Sequence, residues 1–273
     1  MPQLPPWPSM DQIILGFLLL VTNSVTGAYR TIIEWAYGPA FAFGTNADVT
    51  YQQATVIKIW QVNVLAADGV LAIIIVWIAY NVILGVYEPL EMTWRVILAA
   101  VCVHASLQFA GLFIELNNAL CSMVIGSIKP PLDVLSLLGI PHVPTNDMVA
   151  MVEDILIHVM AGVLVAENFV RVEVLDVLIC ISPLALLLFV AYSTQQWANL
   201  WAAAFFATLF LQFVQVVAMV LGASLIAGLA TNSAVVGMLL GIGVLGLVVA
   251  MPKWVGSAAT SVIGGSHRLP GQS

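Results

Sequence analysis

Residues 96–127 read VILAAVCVHASLQFAGLFIELNNALCSMVIGS, and Glu115 is the only Asp, Glu, Lys or Arg among them. A helix of this length would measure about 48 Å, against a hydrocarbon layer about 30 Å thick. The rest of the 273-residue chain has the same character, since 62% of it is hydrophobic and 8% is charged. Soluble domains carry about 25% charged residues. The composition therefore excludes a soluble enzyme and indicates an all-α integral membrane protein with no soluble domain.

Hydrophobic runs and helix-breaking residues divide the chain into about seven (six to seven) transmembrane helices. The first run either crosses the membrane or lies in its interface. Residues 148–192 form one helix or two, and we divide them at the charged segment 167–176. We expect a single membrane domain over 1–256 and a short polar C-terminal tail over 257–273. The predicted spans are 12–29, 56–87, 96–127, 148–166, 174–192, 199–230 and 234–252.

The distribution of Lys and Arg predicts the orientation, because cytoplasmic loops are enriched in both. With seven spans and the N-terminus outside, five positive charges fall on the cytoplasmic side and only Arg95 and Arg171 fall outside. The chain is therefore expected to be a multi-pass protein of the inner (plasma) membrane with a cytoplasmic C-terminus. The five cytoplasmic charges are Arg30, Lys58, Lys129, Lys253 and Arg268.

Polar residues within the spans are the candidate functional residues, because a carboxylate in lipid is costly unless it has a partner or a role. Asp68 lies in the middle of the second span. On the third span, steps of 4, 3, 4 and 3 place five residues on one helix face. This face predicts either a hydrated path or interhelical hydrogen bonds, and a hairpin turn at 88–95 would bring Asp68 level with Glu115. The five residues are His104, Gln108, Gly111, Glu115 and Asn118.

Motifs for enzymatic chemistry are missing from the sequence, which has no Walker loop, HExxH or GxSxG. We therefore expect no catalytic residue, no metal and no cofactor, and we interpret Glu153, Asp154 and His158 as a charge cluster near the membrane surface. Small residues spaced for close helix packing predict a homo-oligomer embedded in membrane lipid. These are Gly222, Gly237 and Gly241.

The segment around 171–222 resembles the core of the TrbL-like polytopic inner-membrane components of conjugative type IV secretion systems. In that family an Arg precedes a helix with a Pro-Leu-Ala element, and a Thr/Trp turn leads into a long helix with Gln residues. Asp68, Asn117 with Asn118, and 251–254 are similar to its flanking pattern, so the likeness covers roughly 55–256. The matching core residues are Arg171, Pro183, Thr194, Trp197, Trp201, Gln212 and Gln215.

The resemblance implies a non-enzymatic channel or platform subunit that moves DNA or protein across the envelope. Its partners would be other secretion-system subunits, including cytoplasmic ATPases that supply energy, and it would touch the transferred DNA or protein transiently. A secondary transporter or ion channel that uses Asp68 with the face of His104, Gln108 and Glu115 is the alternative. A membrane enzyme or an assembly factor is the third hypothesis.

Overall fold

The computed structural model describes residues 44–86, 88–126, 148–190 and 194–229, together with seven isolated positions near 16–20 and 243–250. These ranges are helical, with no strand among them, as the composition predicts. Three of the helices are long and apolar enough to cross a membrane, over Ala54–Ile83, Pro89–Gly126 and Gln195–Gly222. The predicted spans 12–29 and 234–252 lie almost wholly outside the described residues. The long helices are α1 (Ala54–Ile83), α2 (Pro89–Gly126), α3 (Met148–Leu187) and α4 (Gln195–Leu229).

The turn between α1 and α2 lies at 84–88, several residues earlier than the predicted 88–95. Gly85 ends α1 in the left-handed region at φ 72°, which glycine adopts without steric cost. The amide of Val86 then donates to the carbonyl of Asn81 across 2.9 Å. Pro89 is the first residue of α2, where its missing N–H costs nothing. The helix ends at Ile83 and Pro89 therefore differ from the predicted span bounds at 87 and 96, and the hairpin has a different register from the predicted one.

The helix α3 is continuous from Met148 to Leu187, so the predicted break between 166 and 174 is wrong. Charged residues do not end a helix when their side chains are buried among neighbouring helices. Arg171 and Asp176 are only 5% and 9% exposed. Arg171 therefore lies inside the helix bundle, and its use as a loop charge in the orientation argument is also wrong.

Pro183 lies inside α3, and three carbonyls near it accept side-chain hydrogen bonds. A proline cannot donate to the carbonyl four residues earlier, which here belongs to Ile179. The Ser182 hydroxyl donates to that oxygen instead, across 2.7 Å. The carbonyl of Leu178 accepts from Trp201 Nε1 of α4, and that of Cys180 accepts from Asn63 Nδ2 of α1. These bonds tie α1, α3 and α4 together at one level.

The helices α2 and α3 occupy the centre of the fold, because each packs against the three other long helices. One apolar cluster joins all four, with Val56 from α1, Ile114 from α2, Leu175 from α3 and Leu209 from α4. A second cluster lies towards the α1–α2 turn and includes Leu71, Ala99 and Leu187. This packing brings residues that are distant in sequence to the same depth.

Candidate functional site

A buried network of hydrogen bonds centred on Thr45 connects α2, α3 and α4. Nη1 of Arg171 donates to the Thr45 hydroxyl across 3.1 Å. The hydroxyl in turn donates to Oε1 of Gln212 across 3.0 Å. The same oxygen accepts from Nδ2 of Asn117 at 3.2 Å. All four residues are at least 95% buried, so the network is part of the protein interior.

The network leaves part of its polar capacity unused. Nε of Arg171, Oδ1 of Asn117 and Nε2 of Gln212 are buried and have no hydrogen-bond partner in the structure. Among the described residues, no carboxylate lies within salt-bridge distance of Arg171. A buried cation is costly without an opposite charge, so the surroundings of Arg171 are electrostatically unusual.

The segment 45–51 forms hydrogen bonds with one half of the polar face that the sequence predicts on α2. The backbone N–H of Thr45 donates to Oδ1 of Asn118 at 2.7 Å, and Nδ2 of Asn118 donates to the Thr45 carbonyl at 2.9 Å. The ring of Tyr51 lies over Gly111, and its hydroxyl donates to Oε1 of Glu115 at 2.9 Å. Partial burial raises the pKa of the Tyr51 phenol above its ordinary value, and this hydrogen bond raises it further. This half of the face therefore makes its contacts within the chain.

The other half of the face carries His104 and Gln108 and is exposed on the single chain. Nε2 of His104 lies 3.5 Å from Oδ1 of Asp68, and these two side chains are 57% and 43% exposed. The prediction that Asp68 lies level with Glu115 is wrong, because the earlier turn at 84–88 shifts the register of α2 along α1. The structure therefore brings Asp68 to His104 and keeps both away from Glu115.

The residues on which the resemblance rests have different positions in the fold. Arg171, Gln212 and Gln215 are buried. The Thr194 hydroxyl donates to the carbonyl of Leu188 at 2.7 Å and so closes the turn between α3 and α4. Trp201 bonds to α3, as described above, whereas Trp197 is 57% exposed. Of the predicted packing glycines, Gly222 is buried in α4, and Gly237 and Gly241 lie outside the described residues.

A cleft of about 470 Å³ lies between α3 and α4 beside the buried network. Arg171 and Gln215 line it, and most of the remaining lining is apolar. No group of three His, Cys, Asp or Glu residues able to hold a metal ion occurs in the described ranges. The side chains of Glu153, Asp154 and His158 are not among those described.

Sequence reasoning missed Thr45 and Tyr51, although both are central to the site. Thr45-Asn46 follows a glycine and begins a 3₁₀ turn over Ala47–Val49, in which the Asn46 side chain accepts from the Asp48 amide. Such an Asn-capped turn is visible in a sequence and could have indicated an ordered segment. Its contacts with α2, α3 and α4 could not be seen there.

Over the described residues, the fold and the site define a class: a helical protein with helices suited to a membrane and a polar network buried between them. No protein-family model matches the chain, and neither curated proteins nor solved structures give a significant match.

Proposed function

We propose that this chain is a non-enzymatic subunit of the inner-membrane channel or platform of a type IV secretion system. In this role it belongs to an oligomeric assembly that moves DNA or protein across the envelope. Separate cytoplasmic ATPases supply the energy, since the sequence has no nucleotide-binding motif. The choice of this family rests on the run of residues from Arg171 to Gln215.

The observation that carries the proposal is the exposed half of the polar face on α2. Asp68 and His104 belong to helices that are suited to the membrane, and both side chains are partly uncovered on the single chain. Lipid cannot satisfy a carboxylate or an imidazole, whereas a neighbouring subunit or a hydrated crevice can. If the chain is a subunit of a larger membrane assembly, a neighbouring subunit explains why a polar surface lies at this position.

Deletion of the gene in the native host tests the proposal directly. We expect loss of conjugative DNA transfer or of protein secretion with normal growth, and recovery when the gene is restored. A tagged chain isolated from native membranes should carry other secretion subunits and an ATPase. Unchanged transfer and secretion after deletion, together with a tagged chain that carries no such subunit, would contradict the proposal.

A secondary transporter or ion channel is the second candidate, and the contact between Asp68 and His104 favours it. A carboxylate beside an imidazole within the membrane is an arrangement found in proton pathways. Reconstitution of the purified chain alone into vesicles separates the two candidates. Ion or proton flux that disappears in Asp68→Asn would favour the transporter, since a platform subunit requires its partners for activity.

A further inference from the structure

The cleft between α3 and α4 has a polar floor and apolar walls. Arg171 and Gln215 form the floor and are 5% and 8% exposed. The walls include Val163, Val170 and Leu211, and both valines are exposed at the surface of the single chain. A pocket of this kind, mostly apolar with a few convergent polar groups, is typical of a small-molecule site.

Arg171 determines the charge of the group that fits the floor. Its guanidinium has five N–H donors, and in the structure one nitrogen bonds to the neutral hydroxyl of Thr45 while Nε has no partner. A hydroxyl does not compensate a positive charge, and no carboxylate of the described residues is within reach. Phosphate oxygens match the fork of a guanidinium in both charge and shape.

The depth of Arg171 agrees with a lipid phosphate. Arg171 lies one helical turn from Leu175, which belongs to the same apolar cluster as Val56 in the first turn of α1. The 30 residues of α1 measure about 45 Å as a helix, longer than the hydrocarbon layer of about 30 Å. The first turn of α1 therefore lies near the edge of the hydrocarbon, where phosphates lie.

From these features we infer that the cleft binds a membrane phospholipid. The phosphate pairs with the guanidinium of Arg171, and an acyl chain lies along the apolar walls. The apolar walls favour an amphiphile over a soluble anion such as free phosphate. Glu167 also lines the cleft, one helical turn from Arg171, without an ion pair to it. The inference does not depend on the proposed role in secretion.

Retention of lipid by the purified full-length chain tests the inference. The chain is extracted in mild detergent, washed with lipid-free detergent, and assayed for bound phospholipid by phosphorus analysis and native mass spectrometry. We expect about one phospholipid per chain. Ala207→Phe fills the cleft from α4 and should lower the occupancy at least tenfold. Ala166→Phe fills the cleft from α3 and replaces the first variant in the assay if that variant does not fold. Ala72→Phe, exposed on α1, is the matched control and should keep the lipid.

Four results would overturn the inference. The wild-type chain could release all its phospholipid in the wash, or a folded cleft variant could retain as much as the wild type. The wild type and a cleft variant could both lack lipid, while the variant forms a smaller oligomer than the wild type. That result would mean that a second copy of the chain occupies the cleft. Inorganic phosphate alone could raise the melting temperature as much as phospholipid micelles do, which would indicate a soluble anion. None of these results bears on DNA transfer, so they are distinguishable from failure of the proposed function.

Discussion

The guanidinium of Arg171 donates to the hydroxyl of Thr45 across 3.1 Å, although 126 positions separate the two residues in the chain. Through this contact a segment that precedes the first long helix reaches the interior of the bundle. Gln212 accepts from the same hydroxyl, so one threonine connects α3 with α4. The buried network therefore depends on a residue that belongs to none of the four long helices.

Replacement of Thr45 by Val should remove this connection while the size of the side chain is kept. Arg171 and Gln212 would each lose a buried hydrogen bond, at a cost of about 1–3 kcal/mol in the free energy of unfolding. Thr45→Ser keeps the hydroxyl and is the control. Thermal unfolding of the detergent-purified chain measures both variants. Equal melting temperatures for the two would show that the hydroxyl contributes nothing.

A glycine-to-alanine change should act in opposite directions on α1 and α2. A Cβ at Gly111 would lie 2.8 Å from the ring of Tyr51, whereas one at Gly69 meets nothing within 4 Å. Alanine favours a helix over glycine by about 1 kcal/mol, so Gly69→Ala should stabilise the chain by that amount. Gly111→Ala should destabilise it by about 1 kcal/mol, because the ring must move.

The cause of the Gly111 effect can be isolated in a double-mutant cycle. In a Tyr51→Ala background the ring is gone, and Gly111→Ala should become stabilising by about 1 kcal/mol. Thermal unfolding again measures the four chains. Additive effects of the two changes would show that the ring does not lie over Gly111.

Two tryptophans near the start of α4 should differ in their importance. Trp201→Phe removes the donor to the Leu178 carbonyl and should cost about 0.5–1.5 kcal/mol. Trp197→Phe changes a side chain that is 57% exposed, and we expect less than about 0.5 kcal/mol. Chemical or thermal unfolding compares the pair. A larger loss at Trp197 would contradict the position of α4 against α3.

Asp68→Asn should weaken the assembly of the chain in membranes. The change removes the charge beside His104 on the uncovered face, where a neighbouring subunit would provide the partner. Glu88→Gln, in the turn between α1 and α2, is the control and should leave the assembly intact. Native gels or light scattering of detergent extracts measure the mass. An intact assembly with loss of ion flux would favour the transporter instead.

The distribution of Lys and Arg predicts a cytoplasmic C-terminus. The external N-terminus predicted with it requires seven spans, and α3 joins two of those into one helix. A topology reporter fused after Ser273 tests this prediction. We expect activity from a reporter that works only in the cytoplasm. Activity from one that works only outside would reverse the orientation, and reporters at 127–147 would then show which part of the span count is wrong.

Part of this molecule follows from the sequence alone. With 8% charged residues and long apolar runs, the chain can bury its backbone polar groups in a membrane only as helices, because each helix satisfies its own N–H and C=O groups. The polar period on α2 is also visible in the sequence, since residues three and four apart share a helix face. These properties depend only on neighbouring residues.

The tertiary structure decided what the polar residues do. It bonded Glu115 and Asn118 to the segment 45–51, placed His104 beside Asp68, and buried Arg171 where the sequence predicted a loop. Helix periodicity gives the direction of a side chain but not the element that meets it. The packing of the helices determines which element meets a side chain, and so does a turn such as the one at Gly85, which shifts one helix along another. Both depend on contacts between residues that are far apart in the chain.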